Sequence, residues 1–376
     1  MKKSLTMTDK PNPMPNLRSS IFVKTHEEIL TRDDLIELLS IMKESELHRL
    51  YKTAYGVKRR YVGDKVYLRG IVEFSNKCKN DCFYCGIRKS NDKIKRYSMS
   101  EEEIVFAAKR CHEQQYGSIV LQSGERTDKE FISFVERLVL QIKMISSGKL
   151  GITLSLGEQS IETYRRWFEA GAHRYLLRIE TSNKGLYQKL HAKEQTFETR
   201  FSSLLALKSI GYQVGCGVMI GLPGQSIEDL ADDIIFFKHM DIDMIGMGPF
   251  IPHSDTPLAC AKSDFEDQKI SLFKLCLKMI ATTRIYLKDV NIASTTALQV
   301  LDDFGREMGL KAGANIIMPN ITDTRYRSYY KLYDNKPCVD EDSKTCGDCL
   351  IRRVEAIGER VGFNQWGDAP HFKISD

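Results

Sequence analysis

Short apolar runs alternate with amphipathic helical stretches over most of the chain. From about residue 67 onward, eight apolar runs have the length of buried β-strands, and most segments between them place apolar residues at helical spacing. Strands separated by helices in this order predict βα units and a parallel sheet. The predicted strands are 66–74, 118–122, 151–154, 174–179, 213–220, 244–247, 290–293 and 314–318.

The intervening helices and the spacing of the repeats favour a closed barrel. Eight repeats of about 30 residues between 67 and 318 have the typical length of a (β/α)8 TIM-like barrel. A doubly wound open sheet would need a nucleotide loop such as G-x-G-x-x-G after the first strand, where this chain has a cysteine cluster. The predicted helices are 101–111, 128–145, 161–170, 199–210, 227–239 and 265–287.

Four segments follow from this pattern. Residues 1–22 are expected to be a disordered lead-in, and 23–66 an N-terminal helical region in which Thr31 caps a helix with acids in its first turn. Residues 67–320 form the predicted barrel. Residues 321–376 are a polar C-terminal extension with its own cysteines.

Composition and charge exclude several classes of protein. No apolar run approaches the roughly 20 residues of a membrane span, and the first residues lack the apolar stretch of a secretory signal. The net charge is +5, and residues 58–60 form the only dense basic cluster, so no nucleic-acid partner is expected. The sequence predicts a cytoplasmic protein with no membrane partner.

Three cysteines directly after the first predicted strand form the pattern C-x3-C-x2-C. Cys78, Cys82 and Cys85 can hold three irons of a [4Fe-4S] cluster and leave the fourth iron open to a ligand. A structural zinc site would need a fourth ligand, and the nearest histidines, His48 and His112, are not at zinc-finger spacing. The spacing therefore favours the cluster.

Polar residues stand at the ends of other predicted strands, where a barrel collects its chemistry. Arg178 lies in an otherwise apolar strand whose alternation points it into the barrel together with Glu180. A buried charge there must be paired, either by Glu180 or by an anionic ligand. Both alternatives remain open from the sequence.

The cysteine motif at the end of the first strand resembles the signature of the radical S-adenosylmethionine (SAM) superfamily. In that superfamily the open iron binds SAM, and an electron from the cluster cleaves it to a 5'-deoxyadenosyl radical. The resemblance therefore implies two cofactors, a [4Fe-4S] cluster and SAM. It also implies an electron donor such as a ferredoxin or flavodoxin.

Eight further stretches resemble the HydE family of [FeFe]-hydrogenase maturases: 73–76, 121–125, 153–158, 175–181, 221–225, 248–253, 295–297 and 313–320. The resemblance implies a set of residues around SAM, namely Ser123, Gly124, Glu125, Ser155, Glu180 and Arg200. It also implies an anchor for a substrate carboxylate at Arg178, with Thr295, Thr296 and Met318 closing the other side.

A substrate and a reaction are implied as well. In the HydE family the radical acts on a small organometallic substrate, a sulfur-containing, cysteine-derived iron complex, during assembly of the diiron subcluster of [FeFe]-hydrogenase. Other hydrogenase maturases are then possible partners. The residues by themselves indicate a radical enzyme with a cationic barrel interior.

A second cysteine set lies in the C-terminal extension. Cys338, Cys346 and Cys349 form C-x7-C-x2-C, away from the predicted strand ends. The family resemblance favours an accessory iron-sulfur cluster, [2Fe-2S] or [4Fe-4S], and zinc is the alternative. This position argues against a direct part in catalysis.

Other functions fit less well. Biotin synthase needs a second cluster inside the barrel, where only Cys216 could serve. A methylornithine synthase shares the architecture, but 248–253 and 295–296 match HydE better. A scaffold that binds SAM or iron would not need the complete triad, and an RNA-modifying enzyme would carry an RNA-binding module.

Overall fold

The computed structural model describes residues 30–339 and 343–372, except for the side chains of 343–346 and 348. The predicted lead-in at 1–22 lies outside the described residues. None of the helices in the described ranges is both long and apolar enough to cross a membrane.

Eight parallel strands form a closed ring. The hydrogen-bonded order is β10-β1-β2-β3-β4-β5-β7-β9, and a bridge between Ala293 and Ile316 joins β9 back to β10. This topology confirms the predicted (β/α)8 barrel. The strands are β1 Lys65–Ser75, β2 Ser118–Ser123, β3 Gly151–Ser155, β4 Arg174–Leu176, β5 Gln213–Cys216, β6 Met219–Ile220, β7 Met244–Ile245, β8 Gly248–Pro249, β9 Asn291–Ile292, β10 Ile316–Ile317 and β11 Arg360–Val361.

Helices surround the ring, and all six predicted ones are present within a few residues of their expected bounds. The α-helices are α1 Arg32–Leu39, α2 Glu44–Tyr61, α3 Glu101–Glu113, α4 Lys129–Ile145, α5 Ile161–Glu169, α6 Lys184–Leu190, α7 Phe197–Ile210, α8 Ile227–His239, α9 Lys262–Leu287, α10 Leu298–Leu301, α11 Gly305–Lys311, α12 Thr324–Arg327 and α13 Ser343–Ala356. A short 3-10 helix covers Pro257–Ala261.

The N-terminal helices pack on the barrel wall. Thr31 caps α1 and forms a capping box with Asp34, as the sequence predicts. Leu35, Leu38 and Leu39 are fully buried. Helices α1 and α2 both lie against the long helix α9, so this region extends the helical layer of the barrel.

Two predicted strands are shorter in the structure. The run 174–179 leaves the sheet after Leu176, and Glu180 adopts φ +65°, a left-handed conformation that ends an extended strand. The run 213–220 breaks into β5 and β6 at Gly217, where a Cβ atom would lie 2.0 Å from the carbonyl oxygen of Gly246. Beyond this close approach, β6 pairs with β8 as a separate two-stranded sheet.

The C-terminal extension closes the floor of the barrel, where the strands begin. Strand β11 pairs with the start of β1, and the chain then passes beneath the ring. Arg69 donates to the carbonyl oxygen of Gly367 (2.9 Å), and buried Arg174 pairs with Asp368. Residues 366–371 are therefore a plug for the barrel, which the sequence did not predict.

Another part of the extension crosses the opposite end. Residues 329–338, which we call the strap, lie over the carboxyl ends of the strands. The N–H of Gly86 donates to Leu332 O (2.9 Å), and Asp334 accepts from the backbone and hydroxyl of Ser254 and from Lys262. These contacts join the strap to the cysteine loop and to the loop after β8.

Candidate active site

One cavity of about 380 Å³ opens at the carboxyl ends of the strands, beneath the strap. It brings together the side chains that the sequence predicted to hold a cluster, SAM and substrate. These lining residues are Cys78, Cys82, Cys85, Ser123, Gly124, Glu125, Ser155, Arg178, Glu180, Arg200, Thr295, Thr296 and Met318. The pocket combines thiols, carboxylates and guanidinium groups with apolar walls.

The three cysteines of the first cysteine loop are partly buried, and hydrogen-bond donors lie next to two of their sulfurs. The N–H groups of Asn80 and Glu125 donate to Cys78 Sγ (3.5 and 3.3 Å), and the Gln195 amide donates to Cys82 Sγ (3.4 Å). Burial raises the pKa of all three thiols, that of Cys82 to about 11. Such thiols become thiolates when a metal supplies positive charge, and the donors then satisfy the sulfur, so the loop fits a metal cluster.

The arrangement differs from that of a single metal ion. Within the described ranges, no three Cys, His, Asp or Glu side chains converge as ligands on one point. A cubane cluster binds each cysteine to a different iron, so it requires three separated sulfurs on one wall of a cavity. Cys78, Cys82 and Cys85 meet that requirement.

Gly124 fixes the position of the first cysteine. A Cβ atom on Gly124 would lie 2.4 Å from Lys77 O and 2.7 Å from Cys78 Cβ. The family resemblance implies that Gly124 lies among the residues around SAM. In the structure the cysteine loop makes the close approach, and Gly124 N–H donates to Ser75 O (2.9 Å).

Glu125 is buried beside the same loop. Its Oε2 accepts from the N–H of Glu158 (2.9 Å), and its Oε1 lies 3.2 Å from Lys79 Nζ. Burial raises its pKa. Gly157 makes room for this carboxylate, because a Cβ there would lie 2.1 Å from Oε2. Glu125 therefore ties the end of β2 to the loops after β1 and β3.

Arg178 and Glu180 form the internal ion pair that the sequence left open. The distance from Arg178 Nη2 to Glu180 Oε2 is 3.0 Å, and Nη2 also donates to Val218 O (2.8 Å). Arg178 Nε is buried without a hydrogen-bond partner among the described residues, while the side chain remains 33% exposed to the cavity. The pair thus leaves Arg178 with capacity for an anion.

Arg200 is already paired in the structure. Its Nε lies 2.6 Å from Glu158 Oε1, and Nη1 donates to the carbonyl oxygen of Arg178. The family resemblance implies that Arg200 is one of the residues around SAM. In the structure the carboxylate of Glu158 lies next to the Arg200 guanidinium, so a ligand that binds Arg200 shares this guanidinium with Glu158.

Tyr84, the aromatic residue inside the cysteine motif, joins the cysteine loop to the segment that follows β4. Its hydroxyl is 3.5 Å from Glu180 Oε1 and 3.4 Å from His191 Nε2. Burial raises the pKa of Tyr84 and lowers that of His191 to about 4, so both are neutral near pH 7. Tyr84 was not among the predicted site residues.

The far wall consists of small and apolar groups. Thr295 Oγ1 donates to Met247 O (3.3 Å) and lies against Gly248, where a Cβ would be 2.7 Å from that hydroxyl. Thr296 and Met318 also line the cavity. This wall leaves space for a small ligand opposite the charged residues.

The strap adds a charged pair that the sequence analysis missed. Lys336 Nζ pairs with Glu73 Oε1 and donates to Tyr330 O (2.8 Å), while Asn320 donates to Glu73 Oε2 (3.2 Å). Both charged side chains are buried and line the cavity. No sequence signal links Lys336 to Glu73, because they are brought together only by the path of the strap.

The second cysteine set was predicted to lie away from the strand ends, and this prediction is wrong for Cys338. Cys338, at the end of the strap, lines the cavity itself. Cys349 lies partly buried on α13, and the side chain of Cys346 on the same helix is outside the described part. The strap thus carries at least one of these cysteines to the site, contrary to the expected remote position.

Comparisons with known proteins agree with this architecture. Residues 72–237 match the family described as the Radical SAM superfamily. The chain is 46% identical to "[FeFe] hydrogenase maturase subunit HydE" of Thermotoga maritima, over 92% of this chain and 96% of that protein. It is 31% identical to 3-methylornithine synthase of Methanosarcina acetivorans, over 88% and 89% of the two chains.

Solved structures share the fold over nearly the whole chain. The crystal structure of methylornithine synthase (PylB) aligns with a TM-score of 0.77 at 27% identity, covering 92% of this chain and 98% of that one. The structure of the maturase HydG from Carboxydothermus hydrogenoformans aligns with a TM-score of 0.75 at 21% identity, covering 92% and 79%. The HydG likeness is one of fold.

Proposed function

Because the chain belongs to the radical SAM superfamily and, within it, to the HydE family of [FeFe]-hydrogenase maturases, we propose that it cleaves SAM reductively during assembly of the hydrogenase diiron subcluster. The proposed substrate is a sulfur-containing, cysteine-derived iron complex. The observation that supports this most is the single cavity, which collects the cysteine triad and the predicted SAM and substrate residues.

Cys78, Cys82 and Cys85 are the proposed ligands of the [4Fe-4S] cluster. When bound, the cluster and SAM supply one electron and a 5'-deoxyadenosyl radical. The residues proposed to surround SAM are Ser123, Gly124, Glu125, Ser155, Glu180 and Arg200. Among them, the Arg200–Glu158 pair holds a guanidinium in a fixed orientation, which suits recognition of a carboxylate.

On the substrate side, Arg178 is the proposed anchor. Its side chain is partly exposed to the cavity and is available to a carboxylate there, while Glu180 and Val218 O hold its Nη2. Thr295, Thr296 and Met318 form the proposed opposite wall. The strap and the barrel floor exclude bulk water from the reacting groups, which protects a radical from side reactions.

The accessory features belong to the same proposal. Cys338, Cys346 and Cys349 are proposed to hold a second iron-sulfur cluster, [2Fe-2S] or [4Fe-4S]. A ferredoxin or flavodoxin is the proposed electron donor, other hydrogenase maturases are proposed partners, and the cytoplasm is the proposed location. The division into a helical region, a barrel and an extension at residues 66 and 320 is also kept as a proposal.

The alternatives have less support. Identity to 3-methylornithine synthase is 31%, against 46% for HydE over a similar share of the chain. Cys216, the one candidate for a biotin synthase-like second cluster, is fully buried in β5 and does not line the cavity.

An in vitro maturation assay tests the proposal. Anaerobically reconstituted protein with SAM and a reductant should release 5'-deoxyadenosine, and it should replace HydE in activating an apo-[FeFe]-hydrogenase together with the other maturases. A Cys82→Ser variant should do neither. Release of 5'-deoxyadenosine without hydrogenase activation would retain the radical chemistry and reject the maturase role.

A further inference from the structure

Arg96, on the segment between the cysteine loop and α3, makes an unusual set of hydrogen bonds. Its Nη1 donates to Asn76 O (2.7 Å) and Ile87 O (2.8 Å). Its Nη2 donates to three further carbonyl oxygens, those of Arg88 (2.5 Å), Lys89 (3.3 Å) and Asn91 (3.0 Å). All of these partners are main-chain carbonyl groups.

These partners lie on both sides of the cysteine triad. Asn76 precedes Cys78 by two residues, and the other carbonyls follow Cys85. One planar guanidinium therefore closes the base of the loop. The three N–H donors of a lysine all lie on one ammonium nitrogen, so a lysine cannot reach carbonyl groups that are spread out in this way.

The side chain of Asn76 reinforces the same closure. Its amide donates to Lys95 O (2.8 Å) and to Tyr329 O of the strap (2.7 Å), and its Oδ1 accepts from the N–H of Tyr97 (2.8 Å). The residues on either side of Arg96 are thus fixed to the start of the cysteine loop. The guanidinium is held in one place relative to the triad.

The charge of Arg96 is not neutralised by a carboxylate. No ion pair joins it to an acidic side chain in the described ranges, and its guanidinium is held on carbonyl groups at both ends of the loop that carries Cys78, Cys82 and Cys85. A cluster becomes more negative when it is reduced, so a nearby fixed cation stabilises the reduced state.

We propose that Arg96 is a positioning residue with a redox role: it closes the base of the cysteine loop and raises the reduction potential of the cluster bound there. The inference rests on the proposed [4Fe-4S] cluster at Cys78, Cys82 and Cys85. It concerns one-electron reduction by the external donor, and it requires no further reactant.

Two substitutions separate the two parts of the role. Arg96→Lys keeps the positive charge and loses the planar guanidinium that bridges the carbonyl groups. Arg96→Gln loses both the charge and the guanidinium. Lys95→Gln is the matched control, because this neighbouring ammonium lies over the Tyr329 ring (5.1 Å) and not on the loop carbonyls. The measurements are a redox titration of the reconstituted cluster followed by electron paramagnetic resonance, and the rate of iron loss to a chelator.

Arg96→Gln should lower the ratio of reduced to oxidised cluster about tenfold at a fixed solution potential, which corresponds to about 59 mV for a one-electron couple. Arg96→Lys should keep the wild-type potential, and both variants should lose iron faster than wild type. Lys95→Gln should match wild type in both measurements.

Each alternative outcome overturns part of the inference. A wild-type potential in loaded Arg96→Gln removes the electrostatic role, and wild-type iron retention in both variants removes the positioning role. If Arg96→Gln does not take up the cluster, amide hydrogen exchange is compared between its apo form and the wild-type apo form. Faster exchange of residues 76–91 in the variant supports the role of Arg96 in closing the cysteine loop, and unchanged exchange rejects that role. None of these measurements uses SAM or substrate. A failed maturase assay therefore does not affect their interpretation.

Discussion

At the scale of single residues, Gly124 and the cysteine loop fit against each other without spare room. Gly124→Ala should displace Cys78, since the new Cβ would lie 2.4 Å from Lys77 O. We expect iron content after reconstitution to fall by more than half while the barrel stays folded by circular dichroism. The control is Gly56→Ala in α2, where a Cβ meets nothing within 4 Å. That variant should load fully and gain about 0.5–1 kcal/mol in stability; equal loading of both variants would contradict the prediction.

Arg178 should affect substrate use without affecting SAM cleavage. Arg178→Gln removes the guanidinium that is partly exposed to the cavity and leaves Glu180 without its cation. Loss of a charge-assisted hydrogen bond costs about 1.5–3 kcal/mol, so KM for the substrate should rise roughly 10- to 150-fold. Substrate-free release of 5'-deoxyadenosine should stay near wild type, as it should in the exposed control Arg325→Gln. An unchanged KM would exclude the anchor.

The residues that the sequence revealed are those whose local context was unusual. Arg178 stands in an otherwise apolar run, and the triad has a spacing that few other sites use. Arg96 and Lys336 gave no such signal, because each lies in an ordinary polar segment. Their roles arise from carbonyl groups and a carboxylate that only the folded chain brings near.

At the scale of elements, periodicity located every strand of the ring but overestimated several lengths. The run 213–220 is buried throughout, yet its pairing stops where Gly217 meets the backbone of Gly246. Such a break depends on a neighbour about thirty residues away. The hydrophobic pattern reports burial, and burial continues through the break. It does not report the hydrogen bonds between strands, and these are interrupted there.

The plug at residues 366–371 should contribute measurably to stability. Asp368→Asn would leave Arg174, which is 2% exposed, without its carboxylate. Breaking a buried pair costs about 3–5 kcal/mol, and the partial exposure of Asp368 reduces our expectation to about 2 kcal/mol. Urea denaturation is the measurement. The control is Asp232→Asn, which breaks an exposed pair with Arg32 and should cost at most about 1 kcal/mol.

The same plug should make stability depend on pH through His371. Its ring lies 3.3 Å from Asp243 and 3.1 Å from Asp289, and these hydrogen bonds raise its pKa from 6.5 to about 10. A raised pKa stabilises the folded chain fully below about pH 6.5, and this contribution disappears as the pH approaches 10. The difference in Tm between wild type and His371→Gln should therefore be largest near pH 6 and should disappear by pH 10. A constant difference would show that His371 acts by packing alone.

At the scale of the whole molecule, the barrel is closed at its floor by the plug and covered at the other end by the strap. Asp334→Ala should loosen the strap, because it removes the acceptor for Ser254 and Lys262. We expect a several-fold rise in substrate-independent formation of 5'-deoxyadenosine, with hydrogen from solvent incorporated into it. Asp255→Asn, which breaks a nearby pair with Lys93 outside the strap, should not change either quantity. Equal values for both variants would exclude the strap as a cover.

The barrel as a whole was predictable because eight similar units repeat the same pattern. The C-terminal extension was not, since it has no repeat and its contacts are with residues near the other end of the chain. Lys336 reaches Glu73 across 263 positions of sequence, and Cys338 follows it into the cavity. Contacts of that kind carry no local pattern.

The floor of the barrel also has a consequence for synthesis and inheritance. Arg69 in the first strand finds its partner 298 residues later, at Gly367, so the interior of the ring cannot be completed until residue 367 has been synthesised. A stop codon that removes residues 366–371 should therefore be as damaging as a lesion in the first strand.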